Sequence, residues 1–428
     1  MLHYSLGIDF GTSGSRAIAI DPQQAIVAES RVAFTESDRS RPESWRLALE
    51  ELLTSLPSTV RSQLGRIAIN GTSGTVLLCE ENGQPVTNPL LYNDDRGQEV
   101  KEQLQQFAPP DHLVQSSTSS LAKLLWWQAN GLWQGDQPPA TWQLLHQADW
   151  LGMQLHGQPR RSDYHNALKL GYDVEHLRYP PWLRQSNLAV LLPTVGTPGE
   201  PIAPLRPALA QRWEISPSCQ ICAGTTDSIA AFLASGVSHL GDAVTSLGST
   251  LVLKLLSDRF VEDLQLGIYS HRLGTRWLVG GASNTGGAVL SHFFTPEALQ
   301  SLSRQINPAE PSGLTYYPLL KPGDRFPVND PNLEPCLEPR PEAPHLFLQG
   351  LLEGIARIEA QGYYCLRTRG ASPLQRVYTA GGGAQNETWT QIRARFLGVP
   401  VHPSPQSEAA YGTARLAQQG LLPPGHLD

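Results

Sequence analysis

Asp9 stands near the end of an apolar run and is followed by Gly11-Thr12-Ser13-Gly14. A turn of this composition gathers backbone N–H groups and hydroxyls in one small concavity, and its glycines let the backbone approach a phosphate closely. Thr12 and Ser13 add hydroxyl donors. An ionised Asp9 cannot bond a phosphate directly, so it needs a mediator, and Mg2+ with its retained waters has the chemistry for that role. The alternative reading of the same residues is a tight turn capped by the Asp9 side chain.

A second turn of the same kind lies at Ser246-Leu247-Gly248-Ser249-Thr250. Alone it reads equally as a plain hairpin; paired with the first, it suggests two turns holding one triphosphate. No Gly-x-x-x-x-Gly-Lys-Ser/Thr run occurs, which argues against a P-loop. Asp9-Phe10-Gly11 matches a protein-kinase triplet in letters only, because no His-Arg-Asp loop precedes it.

Asp227 follows a short apolar stretch and sits among Thr225, Thr226 and Ser228. Phosphoryl transfer to an alcohol uses a carboxylate beside the attacking hydroxyl to accept its proton. A strand-end Asp at a helix start suits that task, and it equally suits a helix N-cap. Gly381-Gly382-Gly383-Ala384 leads into Asn386 and Trp389, a strand-to-helix turn on which a nucleoside could lie, or a glycine-rich connection that permits tight packing. Tyr92-Asn93-Asp94-Asp95-Arg96-Gly97 reads as a grip for sugar hydroxyls or as a solvated turn. Cys219 and Cys222 form a C-x-x-C without a second pair at zinc-ribbon spacing, which reads as two structural thiols. Trp126-Trp127 reads as packing.

The elements that must position these residues alternate as α/β. Leu6–Ile20 is a hairpin around the first turn, with a third strand near Ala25–Val27. Ser44–Leu56 has apolar residues at helical spacing, and Arg66–Asn70 is a strand that ends in Gly71-Thr72-Ser73-Gly74. Ligands of open α/β sheets bind at the carboxyl ends of strands. A helix is expected over Leu121–Ala129 and another over Ile229–Ala234. The hairpin Ala243–Leu256 repeats the shape of the first, which suggests an internal duplication with a boundary in Ser235–Gly241. A strand over Trp277–Gly280, a Pro-rich excursion from Pro318 to Pro344, a long helix from His345 to Leu366, a strand over Arg376–Thr379 and a last helix over Ala409–Gln418 complete the reading.

With 428 residues the chain is long enough for two domains. A net charge of -7 offers no basic field for nucleic acid or an anionic membrane. No apolar run reaches membrane-spanning length. Met1-Leu2-His3-Tyr4-Ser5 enters strand-like sequence with no charged and apolar leader, so no secretory signal is expected. Five cysteines, an odd count, read as reduced thiols and a cytoplasmic protein.

Taken in order, from Gly7-Ile8-Asp9-Phe10-Gly11-Thr12 to Glu408-Ala409-Ala410-Tyr411-Gly412-Thr413-Ala414, these motifs resemble the FGGY carbohydrate kinase family. The resemblance implies two ribonuclease-H-like domains of the actin-like ATPase type with a cleft between them, over residues 1–236 (sugar) and 237–428 (ATP). It implies phosphate contacts at Asp9, Gly11, Thr12 and Ser13, and at Gly248, Ser249 and Thr250. It implies adenosine contacts at Gly382, Gly383, Asn386 and Trp389, Mg2+ through water at Asp9, and a general base at Asp227. Sugar contacts are implied at Ser73, Asp94 and Ser228. The substrates implied are ATP and a pentulose. The sequence is most similar to short ribulokinase- and xylulokinase-like members that act on D-ribulose, with a xylulokinase or other polyol kinase as the alternative. The departures fall on the sugar side: Gly71-Thr72-Ser73-Gly74 replaces a common Gln-Met-His grouping, and Tyr92 replaces a common Trp. A nucleotide-binding scaffold without catalysis is the reading from another class.

Overall fold

A computed structural model describes residues 4–135 and 137–421. Met1, Leu2 and His3, on which the expectation about a leader partly rests, lie outside the described residues. The chain divides into two units, one running to Ala234 and taking in the stretch from Glu408, the other spanning Ser235–Ser407.

The first unit is built on strands β1 (Tyr4–Phe10), β2 (Gly14–Ile20), β3 (Ile26–Ala33), β4 (Leu64–Gly71), β5 (Pro201–Pro204), β6 (Gln220–Cys222) and β7 (Thr225–Thr226). They form one sheet in the order β3-β2-β1-β4-β6-β5, with β7 paired to β4. β1 runs antiparallel to β2 and parallel to β4. Alternation decides which side chains go where: Leu6, Ile8 and Phe10 point into a core with Trp45, Leu49, Leu52 and Leu53 of the helix Pro42–Ser55. Each such buried side chain contributes about 1.5–3 kcal/mol.

Ile18 and Ile20 pack instead against Ala410 and Ala414 of the closing helix Ala409–Gln419. The last helix of the expected second domain, 237–428, thus groups by its contacts with the first unit. Close backbone approach explains this. A Cβ on Gly7 would stand 2.1 Å from the Ala410 carbonyl oxygen, and one on Gly412 would stand 1.8 Å from that of Ala230. Only glycines let this helix settle between β1 and the helix Asp227–Ala234. Arg415 then donates to the Leu233 carbonyl at 2.7 Å.

The second unit holds β8 (Asp242–Leu247), β9 (Leu251–Ser257), β10 (Tyr269–Leu273), β11 (Arg276–Ser283), β12 (Arg376–Ala380) and β13 (Val401–Pro403), in the order β10-β11-β9-β8-β12-β13. Here β8 is antiparallel to β9 and parallel to β12, which repeats the pairing of β1 with β2 and β4. The two hairpins thus open equivalent sheets, as a duplication requires. The long helix Pro344–Thr368 and the helix Glu387–Leu397 are joined to this sheet by a buried polar network. Arg393 grips Glu359 with two hydrogen bonds of 2.6 and 2.7 Å and donates to Thr379 of β12 at 2.6 Å. Thr245 of β8 donates to Glu359 at 2.6 Å and meets the Tyr363 hydroxyl at 2.8 Å. The Pro-rich excursion supplies Asp324, which accepts from Ser283, the Asn284 backbone and the Tyr317 hydroxyl and so fixes the end of β11.

Candidate active site

Strand register assembles the first half of the site. Asp9 is the partner of Arg16 on β2 and of Asn70 on β4, and Asn70 is the partner of Thr225 on β7. These four residues form one row across the sheet. Asn70 donates through Nδ2 to Thr413 of the closing helix at 2.7 Å. Arg16 pairs with Glu29 and with Glu408, the residue before that helix.

One carboxylate oxygen of Asp9, Oδ1, is buried with no hydrogen-bond partner. Burial pushes the Asp9 pKa up to about 7, and Asp227 and Glu408 add to the rise, while Asn70 and Arg16 oppose it. A carboxylate with one buried oxygen unpartnered, in the field of two further carboxylates, fits a hydrated divalent cation. Among the described residues no group of three or more His, Cys, Asp or Glu side chains converges on a direct metal site. The fit is therefore through water.

Thr12 and Ser13 are exposed at the tip of the β1–β2 turn. A Cβ on Gly11 would meet only the Gly14 carbonyl oxygen, at 3.5 Å, so the space above this turn is open. Asp227 opens the helix Asp227–Ala234 directly after β7, and its Oδ1 accepts from the Ser228 backbone at 2.7 Å. Holding the Ser228 N–H and accepting a proton are compatible, since the carboxylate stays partly exposed. Ser228 is exposed beside it. Behind them Thr225 bonds to His165 Nδ1 at 2.8 Å, and the Thr226 hydroxyl is buried without a partner.

The loop after β4 carries Ser73. Thr72 bonds to Gln147 and Thr75, and the Thr75 hydroxyl accepts from the Tyr92 backbone, so the loop is tied to the 91–96 segment. Two lysines that sequence reasoning missed hold consecutive carbonyls here. Lys169 donates to Ser73 O at 3.1 Å, and the fully buried Lys123 donates to Gly74 O at 2.7 Å and to Leu91 O at 2.5 Å. Burial and the neighbouring Lys169 push the Lys123 pKa down to about 7, against the pull of Asp94. Burial also lowers the Lys169 pKa, and Asp227 raises it. Asp94 itself is forked by Arg96 at 2.9 and 2.5 Å, and the Arg96 guanidinium lies 4.6 Å from the Trp126 ring. Asp94 is thus internally paired. A lone lysine in an apolar segment gives no sequence signal for such a role.

In the second unit Gly248, Ser249 and Thr250 form the β8–β9 turn. A Cβ on Gly248 or Gly382 would meet nothing within 4 Å. Packing therefore does not require glycine there, whereas a bound molecule would. The turn is braced from behind: Gly287 N donates to Gly248 O at 2.8 Å and Ala288 N to Ser249 O at 3.1 Å.

One adenosine expectation needs correction. Trp389 is fully buried, donates from its indole to Leu352 O at 3.1 Å, and backs Gly383, whose Cβ would lie 2.9 Å from the ring. It supports the turn from the core and presents no face for stacking. Asn386 is the N-cap of the helix Glu387–Leu397, accepting from Trp389 N at 2.9 Å and donating to Ser303 at 2.8 Å. Its amide keeps a second N–H beyond these bonds, and Gly382 is the open part of the turn.

Two other constellations are structural. Cys219 and Cys222 are buried free thiols, and burial pushes their pKa values up to about 12 and about 11. Ser120, His146 and Asp149 form a hydrogen-bonded chain of 3.1 and 2.9 Å with the geometry of a hydrolytic triad. Ser120 and His146 are wholly buried, so the chain braces helix against strand and offers no nucleophile.

Comparison with known proteins identifies the family. The chain matches the model of the FGGY family of carbohydrate kinases, N-terminal domain, over residues 4–234, and that of the C-terminal domain over residues 243–419. It is 25% identical over 447 residues to a xylulose kinase of Escherichia coli strain K12, covering 98% of this chain and 90% of that one. It is 20% identical to a gluconokinase of Bacillus subtilis strain 168, covering 100% and 89%. Among solved structures, a xylulose kinase from Brucella ovis shares the fold with a TM-score of 0.84 at 24% identity, over 98% of this chain and 90% of the other. Among the described residues no helix is long and apolar enough to cross a membrane. The chain belongs to the FGGY family of carbohydrate kinases: it has the two-domain fold of the actin-like ATPase type and is an ATP-dependent kinase of a small sugar.

Proposed function

We propose that this kinase phosphorylates a pentulose, with D-ribulose as the acceptor and D-ribulose 5-phosphate as the product. The observation that carries the phosphoryl-transfer part is the buried, unpartnered Asp9 Oδ1 within electrostatic reach of Asp227. Asp9, Gly11, Thr12 and Ser13 in one unit, and Gly248, Ser249 and Thr250 in the other, are the proposed contacts of the ATP phosphates. Gly382, Gly383 and Asn386 are the proposed adenosine contacts. Mg2+ held through water at Asp9 would neutralise charge on the phosphates.

Asp227 accepts the proton of the attacking hydroxyl. The sugar oxygen forms its bond to the γ-phosphorus as the bond from that phosphorus to the bridging oxygen breaks, and ADP carries away the electron pair. Little covalent chemistry falls to the protein, so its contribution is positioning and charge compensation. Ser73 and Ser228 are the proposed sugar hydroxyl contacts. Asp94, held by Arg96, shapes the acceptor side.

D-xylulose is the second reading, favoured by relatives named xylulose kinase at 23–25% identity. ADP release measured side by side with D-ribulose, D-xylulose, L-ribulose, ribitol, glycerol and gluconate tests both. The expected result is the highest kcat/KM with D-ribulose. Faster turnover of D-xylulose would exchange the epimer, and ATP hydrolysis indifferent to every sugar would remove the acceptor reading altogether.

A further inference from the structure

We propose that Lys169 is a specificity-determining contact for the acceptor sugar, its ammonium donating to an acceptor oxygen beside the hydroxyl that Asp227 deprotonates. The inference rests on the sugar-kinase reading above and assigns that site a residue of its own.

The argument starts from donor counts. An ammonium carries three N–H donors and accepts nothing. Lys123 is wholly buried, and two of its donors are spent on the carbonyls of Gly74 and Leu91. Its role is to position, joining the loop of Ser73 to the segment that carries Asp94. Lys169 differs. It is partly exposed and makes one hydrogen bond among the described residues, to Ser73 O at 3.1 Å. Its Cδ lies 3.2 Å, and its Nζ 3.6 Å, from where a Cβ on Gly74 would stand. Gly74, at a φ of +87°, keeps that space clear. Two donors thus remain for a ligand at the loop where the sugar-side residue Ser73 lies.

The neighbouring charges point the same way. Asp227 interacts electrostatically with Lys169 and, with opposite effect, with Asp9. A carboxylate and an ammonium that act on one another electrostatically read complementary groups: the carboxylate takes a hydroxyl that must donate, the ammonium an oxygen that must accept. A polyhydroxylated chain, and above all one with a keto oxygen, offers both within its length. Arg96 cannot substitute, because its guanidinium is committed to Asp94.

The test is steady-state kinetics of Lys169→Met and Lys169→Arg on the full chain, with the best sugar of the panel. ATP KM, sugar-independent ATP hydrolysis and thermal melting are measured beside it. Lys169→Met should raise the sugar KM by about tenfold or more, the usual effect of losing a charged hydrogen-bond donor. It should leave the ATP KM and sugar-independent hydrolysis within about twofold, and Lys169→Arg should recover part of the loss. A sugar KM unchanged in Lys169→Met overturns the inference. So does an equal fall in every parameter together with a lowered melting temperature, which would reduce Lys169 to a pin for the Ser73 loop. A wild type that turns over none of the sugars overturns both this inference and the reading beneath it, and is told apart by needing no variant.

Discussion

Asp9 and Asn70 are register partners on adjacent parallel strands, and Asn70 donates to Thr413 of the closing helix at 2.7 Å. The carboxylate at the end of β1 is thus set by a helix some 400 residues later in the chain. That helix also brings Glu408 close enough to raise the Asp9 pKa, together with Asp227. Asp9 is therefore costly to the fold as long as no cation balances it, which is common where function needs an unfavourable charge.

Asp9→Asn should consequently raise stability while it abolishes sugar-dependent turnover. Between the unfolded value of 3.8 and the folded value of about 7, the folded carboxyl holds its proton more tightly than the unfolded one. Stability attributable to Asp9 therefore falls as pH rises through that window and stays low above it. Melting without nucleotide or metal should show Asp9→Asn higher by about 2–4 °C at pH 8, with the advantage gone below pH ~4. An equal gain at both pH values would mean that the effect does not come from the charge.

Gly248→Ala adds a methyl group to open space, so melting should be unchanged within about 1 °C. The ATP KM should rise about tenfold, because the phosphate can no longer approach the backbone. Gly287→Ala is the control. Its Cβ would stand 2.7 Å from Gly248 O, so it should lower the melting temperature as well. A Gly248→Ala enzyme with unaltered ATP KM would show that the turn does not meet the phosphates.

Asp227→Asn keeps the hydrogen bond from the Ser228 backbone, because an amide oxygen accepts as a carboxylate does. Loss of the proton acceptor should lower sugar-dependent kcat about a thousandfold, with ATP affinity nearly intact. Single-turnover phosphate transfer and nucleotide binding measured on the same sample separate the two effects. Loss of ATP binding in place of chemistry would make Asp227 a structural residue.

How much of this was legible in the sequence depends on the range of the contact. Both hairpins were, since two short apolar runs around a Gly/Ser/Thr turn read as paired strands, and these hairpins carry Asp9, Thr12 and Ser249. The allegiance of the closing helix was not, because it turns on Gly7 and Gly412, whose closeness to Ala410 and Ala230 no local pattern encodes. Trp389 was placed on the wrong side of its turn: position i+3 from the Asn386 cap marks the helix start and says nothing of which face the indole takes. Lys123 and Lys169 were invisible, since the carbonyls they hold lie about 50 and 95 residues away in the chain.

The Glu359–Arg393 pair makes the sharpest stability prediction. Both side chains have no exposed surface, and through Thr245 and Thr379 they join β8 and β12, the strands that lead into the two open turns of the second unit. Glu359→Gln leaves the Arg393 charge buried without compensation, which costs about 3–5 kcal/mol. Denaturant unfolding should show that loss, and the ATP KM should rise with it as the turns loosen. The double variant Glu359→Gln, Arg393→Met removes the uncompensated charge and should recover most of the stability, because a buried ion pair is worth little more than well-packed apolar groups of its volume. ATP affinity should recover less, since the methionine cannot donate to Thr379 and leaves β12 untied. Full recovery of both would mean that packing alone sets the turns and that the network has no positioning role.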